Sequence, residues 1–371
     1  MTEDGGMRWE GRMKTMLRSY HEQRGGRFIE VNGVAVVEQY GDPATEEAVL
    51  REGVGLMDLS YRSRLCVLGK DRVGFLHGQV TNDVRGLSVG QGCHAVLVNA
   101  RGRILADLHI FMLADEILLD FDPGYADAVI QRLQAYIIAE DVEVVDVGSL
   151  YGCLSIQGPR AGEVMTAAAP GMTLPEASHD IAPLRKESAG EIYVARRARL
   201  GVDGFDVFAP VEGLPALADE LEGAGPGLTR WCGWQALEMR RIACGRPRYG
   251  ADMDESNLAP ETGLEAGAIS TSKGCYIGQE VIARIRTYGQ VAKALRRLEL
   301  PADLDPLPSR GEKLWKDGKE VGRITSAVRL PGGGVCPALG YVRKECNAIG
   351  TTLRLVRGEN QVPAQIVGSP S

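Results

Sequence analysis

The feature that most constrains the fold of this chain is a change of texture near Arg286. Before it, strand-like and helix-like segments alternate. After it, only short β-like runs remain, near 295–300, 313–316, 320–329, 336–342 and 352–355, divided by Gly and Pro clusters such as Pro331-Gly332-Gly333-Gly334 and the stretch 301–308. Short strands broken by turn residues at such spacing are the pattern of a small β-barrel. The interleaved part predicts an α+β body on mixed sheets. In 371 residues, more than one domain is expected, since roughly 100–200 residues is typical of each. The expected division is an N-terminal helical extension over 1–25, a body over 26–288 with an approximate break near 150, and the barrel over 289–371.

Local signals fill in the body. Asn32-Gly33, between Ile29, Val31 and the valines of 34–37, predicts a two-residue hairpin. Pro43 behind Asp42 starts a helix over 43–52. Asn99-Ala100-Arg101-Gly102 separates expected strands over 94–98 and 103–113. Further strands are expected at 64–68, 117–120, 142–147, 152–157, 191–200 and 205–208, with helices from 71 and over 125–139, 161–169 and 234–242.

Composition narrows the class. Charged residues are 25% and hydrophobic ones 44%, as in an ordinary globular protein. No apolar run approaches the roughly 20 residues that span a bilayer, and Glu3, Asp4 and Glu10 are unlike the apolar centre of a signal peptide. A cytoplasmic protein with no membrane partner is expected. The net charge of −7 argues against direct nucleic-acid binding, which needs basic residues on phosphates. The eight cysteines are scattered singly without a C-x-x-C pair, so no metal site is expected.

The run Lys273-Gly274-Cys275-Tyr276-Ile277-Gly278-Gln279-Glu280 places one thiol between glycines and beside a lysine. Ser270, Thr271 and Ser272 are expected to cap a helix in which Val281, Ile282 and Ile285 recur at helical spacing. A helix N-terminus and a neighbouring ammonium both favour thiolate, which makes Cys275 a candidate nucleophile. Equally, the glycines make a tight turn and the cysteine merely packs.

Other candidates follow from their place in the pattern. Asp107 shares a strand face with Leu105, His109 and Phe111. It must meet solvent or a polar pocket, because an unpaired buried carboxylate is costly. Asp206 closes the run Asp203-Gly204-Phe205-Asp206 between strand-like segments, where it is either a turn aspartate, a reading that Asp-Gly favours more for Asp203, or a carboxylate placed to accept two hydrogen bonds from a ligand. Arg241 stands among Arg240, Arg246 and Arg248 near a helix end, with Arg284 and Arg286 after the thiol. Such forks bind carboxylates, and they also compensate a helix dipole without any ligand. Asn82 and Asp83 follow Gly78-Gln79-Val80 in a loop or helix-ending turn. The five histidines show no catalytic spacing.

The octapeptide resembles the signature of the YgfZ family, folate-binding relatives of the glycine-cleavage T-protein that support iron–sulfur enzymes. The similarity continues through Gly55-Leu56-Met57-Asp58-Leu59-Ser60, Thr81-Asn82-Asp83, Gly102-Arg103-Ile104-Leu105-Ala106-Asp107-Leu108 and Gly245-Arg246-Pro247-Arg248-Tyr249-Gly250. It implies two intertwined α/β subdomains and a C-terminal barrel around a central folate channel, with tetrahydrofolate as cofactor. It also implies roles: Asp107 faces the reactive folate nitrogens, Asp206 grips the pteridine, Arg241 closes over the ligand and Asn82 lies at the channel entrance. Arg199 departs from the family pattern, which has an aromatic residue there. Three functions follow as expectations: a folate-binding factor serving iron–sulfur client or assembly proteins, and through them tRNA modification; a folate-dependent aminomethyl- or methyltransferase; or a folate-sequestering protein without turnover.

Overall fold

The computed structural model describes residues 17–225, 227, 229–289 and 291–370. Most of the expected N-terminal extension lies outside these residues; 17–23 are helical. The chain forms two compact units. The first comprises Met1–Phe75, Val84–Cys93 and His109–Leu237, and the second Leu76–Asp83, His94–Leu108 and Glu238–Ser371. Among the described residues no helix is long and apolar enough to cross a membrane.

In the first unit, the hairpin Arg27–Val31 with Val34–Gln39 turns at Asn32 and Gly33, both at positive φ (52° and 79°). That is the mirror-image turn that matches strand twist. Helix Pro43–Glu52 is capped by the Asp42 carboxylate, which accepts from the amides of Ala44 and Thr45. A six-stranded mixed sheet runs in the order 181–186, 190–196, 204–210, 151–157, 54–58, 229–231, its last pair parallel and the others antiparallel.

Alternation along these strands divides the sheet's two faces. Leu154, Ile156, Phe205 and Val207 pack with helices Ala161–Ala168 and Leu214–Ala224. Cys153 and Phe208 face the other way, onto Leu118 and Phe111 of a second sheet layer. There Ile117–Phe121 pairs with Ser63–Leu68 and with the end of Ile104–Met112, and Ser63–Leu68 pairs with Glu143–Asp146. The helix expected over 125–139 is shorter, Ala126–Gln134. The strand Ile181–Lys186 falls in a stretch whose Gly and Pro content reads as loop.

The second unit holds a closed six-stranded barrel in the order 293–301, 335–343, 319–327, 313–316, 352–357, 360–368. Leu298, Leu314, Ile324, Val342, Leu353 and Ile366 fill it, as interior positions of a small barrel must be filled. Bulges at Leu314/Trp315 and Ile324/Ser326 bend the strands toward closure. The α/β body with mixed sheets and the barrel thus follow the expected fold class. The sixth strand, Asn360–Gly368, was not among the five expected runs. Its Pro363, which cannot donate to a ladder, masks the pattern.

Gly158 ends strand Tyr151–Gln157 at φ 143°, where a Cβ would lie 2.1 Å from the Gly53 carbonyl oxygen. Gly158→Ala is expected to lower the unfolding free energy by about 2–3 kcal/mol, read by urea denaturation. An unchanged midpoint would mean that this backbone approach is not tight.

Candidate active site

Asp107 belongs to the second unit, on the hairpin that turns at Asn99–Gly102. The Asn99 side-chain oxygen accepts from the amides of Arg101 and Arg103, and Gly102 takes φ 70°. Ile104, Ala106 and Leu108 are fully buried on one face. On the other, Asp107 Oδ1 is hydrogen-bonded to His94 Nε2. The two side chains keep 11% and 18% exposure, enough to meet a ligand. His94 is a site residue that spacing did not reveal, because the pair is joined across a hairpin.

The backbone of this dyad is anchored by Asn82. Its amide donates to the carbonyls of His94 (2.8 Å) and Gly267 (3.1 Å). Next to it, Thr81 Oγ1 accepts from the amide of Val96 and donates to the Ala268 carbonyl. Asn82 in turn is held by the octapeptide: Lys273 Nζ donates to the carbonyls of His77, Val80 and Asn82 at 2.5, 2.7 and 2.8 Å. A buried ammonium is tolerable only when its N–H groups are satisfied in this way. Three expected residues, Asn82, Asp107 and Lys273, are therefore brought into one bonded series, with His94 as its missing member.

The rest of the octapeptide shapes the turn. Tyr276 is buried under Lys273, the ammonium 4.9 Å from its ring centroid, and burial raises its phenol to about 12. Gly278 has φ 82°, and a Cβ there would lie 2.5 Å from the Asn99 carbonyl oxygen. Gln279 begins helix Gln279–Tyr288, with Gly278 at its N-cap, and Glu280 pairs with Arg284 on the surface.

Two expectations about Cys275 need correction. Ser270–Ser272 do not cap the helix; the Ser270 hydroxyl accepts from the amides of Ser272 and Lys273, and the helix starts well beyond. Lys273 directs its charge at three carbonyls rather than serving as the expected activator of the thiol. Cys275 itself is the one exposed cysteine among the described residues, and next to it Gly274 opens onto free space.

Asp206 belongs to the first unit and is fully buried on strand Gly204–Pro210, opposite Ser155. Its carboxylate accepts from Ser155 Oγ (2.7 Å) and from Arg199 Nε (2.8 and 3.0 Å), and pairs with Arg199 Nη2 at 2.6 Å. The same guanidinium reaches Asp120 (2.9 Å), which also takes Arg62 (2.9 Å). An alternating series, Arg62, Asp120, Arg199, Asp206, thus lies between the two sheet layers of this unit. Burial pushes the Asp120 carboxyl up, but Arg62, Arg199 and Arg64 outweigh it and hold it at about 2. Arg199, the departure noted in the sequence, is the group that engages the acid expected to grip a ligand.

Arg241, in helix Trp234–Ala243, is 4% exposed. Its Nε and Nη2 hold Glu238, Nη1 holds Asp252 and the Arg246 carbonyl, and Nη2 also reaches Ser326. Asp252 also accepts from Thr325 and Ser326. All five guanidinium N–H groups are engaged inside the second unit, so Arg241 fastens its helix to barrel strand Lys319–Ala327 and presents no donor to an anionic tail.

Two family sequence patterns match: the GCVT N-terminal domain over residues 17–273 and the glycine cleavage T-protein C-terminal barrel domain over 293–371. A chloroplastic protein of Arabidopsis thaliana named as a transferase is 31% identical over 87% of this chain and 73% of its own length. A mitochondrial aminomethyltransferase of Flaveria trinervia is 29% identical over 92% of this chain and 85% of its own. The crystal structure of the glycine cleavage system aminomethyltransferase T from Bartonella henselae superposes with a TM-score of 0.84 at 23% identity, covering 95% of this chain and 96% of that one.

Arg241→Ala is expected to cost about 3 kcal/mol or more of stability by leaving the buried Asp252 without its guanidinium partner and Glu238 with Arg248 alone; an unchanged denaturation midpoint contradicts the fastening role. A second expectation concerns acid. Asp120 titrates lower in the folded state than its ordinary 3.8, so its contribution is complete above that value and is lost as pH falls toward about 2. Between about pH 5 and pH 2, the wild type should lose about 2 kcal/mol that Asp120→Asn does not. Parallel pH profiles for the two proteins would contradict this.

Proposed function

The chain belongs to the glycine-cleavage T-protein family, and from that premise we propose that it binds tetrahydrofolate and transfers a one-carbon group, of the aminomethyl or methyl class, with Asp107 as the catalytic residue. The observation that carries this is the His94–Asp107 dyad. In the tautomer with Nε2 protonated, His94 donates to Oδ1, which fixes the carboxylate's orientation and leaves Oδ2 able to accept a proton. His94 is a positioning residue in this scheme.

Bound tetrahydrofolate would supply amine nitrogens as nucleophiles toward the one-carbon unit. Of the residues that the resemblance assigns to folate, Asp107 and the neighbouring Asn82 loop fit that ligand. Asp206 and Arg241 do not, since Arg199 occupies the first and internal partners occupy the second. A positioned general base contributes about 10²–10⁴-fold to rate. Asp107→Asn should therefore lower aminomethyl transfer to tetrahydrofolate by about that factor, with affinity, measured by calorimetric titration of tetrahydrofolate, changed far less. His94→Ala should lower transfer and His94→Gln should restore part of it, because the amide again offers a donor. Absence of saturable heat in the wild type contradicts the ligand; undiminished transfer by Asp107→Asn contradicts the assignment of the base.

The octapeptide supports a second reading, in which the protein is a YgfZ-type factor for iron–sulfur enzymes. Lys273, Tyr276 and Gly278 shape the turn, whereas Cys275 is exposed. Cys275→Ala should keep stability and tetrahydrofolate affinity. In cells lacking the protein, this reading expects the variant to fail where the wild type restores iron–sulfur enzyme activity; full restoration by the variant would eliminate a role for the thiol.

A further inference from the structure

A cavity of about 830 Å³ lies within the first unit, and neither Asp107, Asp206, Arg241 nor the octapeptide lines it. Leu17, Phe28, Val34 and Val36 give it apolar surface, and Asp58, Asp127 and Asp146 give it carboxylates. Two guanidinium groups also line it, but each is already matched by acids that do not. Arg18 pairs with Glu22 at 2.8 Å, and Arg62 pairs with Asp120 and Asp122 at 2.9 and 3.3 Å. Among the described residues, Asp127 and Asp146 have no ion-pair partner. The lining therefore carries an excess of negative charge over a partly apolar surface.

Asp58 is the most strongly positioned of these acids. Its carboxylate accepts from the Ser60 amide at 2.8 Å and meets His21 Nε2 at 2.7 Å. His21 is 1% exposed, its Nδ1 lies 2.8 Å from the Tyr40 hydroxyl, and its ring packs edge-on against Trp231 and Tyr40. With the Tyr40 O–H donating to Nδ1, the Nε2 proton points at Asp58. Burial raises the Asp58 carboxyl, but His21 and Ser60 together hold it below the usual carboxylate range. The result is a rigid carboxylate at the edge of a cavity large enough for a small molecule.

We propose that this cavity binds an organic ammonium ion with an apolar or aromatic body, the ammonium on Asp58 and the body against Phe28 and Val34. Charge-assisted bonds to an oriented carboxylate supply the selectivity, and the remaining acids disfavour anions of the same shape.

The test uses phenethylamine and its anionic counterpart hydrocinnamate, titrated calorimetrically into the full chain. Phenethylamine should bind saturably, hydrocinnamate should not, and Asp58→Asn should weaken the amine roughly tenfold or more. Ala35→Trp, at an exposed position on the cavity lining, should weaken it similarly by filling the space, and it decides the matter if Asp58→Asn does not fold. No saturable binding of the amine, equal binding of hydrocinnamate, or unchanged affinity in Ala35→Trp would each overturn the proposal.

Discussion

The Lys273 ammonium, buried and donating to the carbonyls of His77, Val80 and Asn82, is the interaction on which the site depends. Those carbonyls close a helix and the loop after it, where backbone acceptors have no intrahelical partner. Satisfying them with one charged group fixes the loop, and the loop's Asn82 fixes the His94 carbonyl. From there the dyad with Asp107 follows. Gly278 serves the same end: it permits the backbone to touch the Asn99 turn, so the octapeptide and the hairpin that carries Asp107 are held together.

A different logic governs the buried charges of the first unit. Arg62, Asp120, Arg199 and Asp206 alternate in sign, each charge bonded to the next. A buried pair that loses one partner costs several kcal/mol, so Arg199 and Asp206 constrain one another. With a guanidinium at 199, Asp206 is a member of a salt-bridge series. The chain thus has the family's scaffold, and within it the acid at 206 is held by internal cations.

The features that the sequence made legible are local ones. The barrel showed in short strands separated by Gly and Pro, the first hairpin in Asn32-Gly33, and the helix at 43 in Asp42-Pro43. The interest of the octapeptide was also visible, though its purpose was misjudged: Lys273 acts on carbonyls 191 to 196 residues away in sequence, a distance no spacing rule covers. Asp107 was seen, but its bond to His94 was not, because pairing across a hairpin depends on register. Arg241 looked like a ligand group because a free guanidinium and one with all its donors engaged have the same letter. The strands at 181–186 and 360–368 were hidden by Pro183 and Pro363, residues that normally count against strand.

The account rests on Lys273 acting through Asn82 and His94 on Asp107, and a double-mutant cycle on aminomethyl transfer to tetrahydrofolate measures this directly. Lys273→Met and Asp107→Asn are made singly and together, and each is confirmed to be folded. If the lysine works by holding the acid in place, the double variant should be scarcely worse than Asp107→Asn alone, giving a clear coupling energy. Strictly additive losses would show that the two residues act independently and would contradict the account.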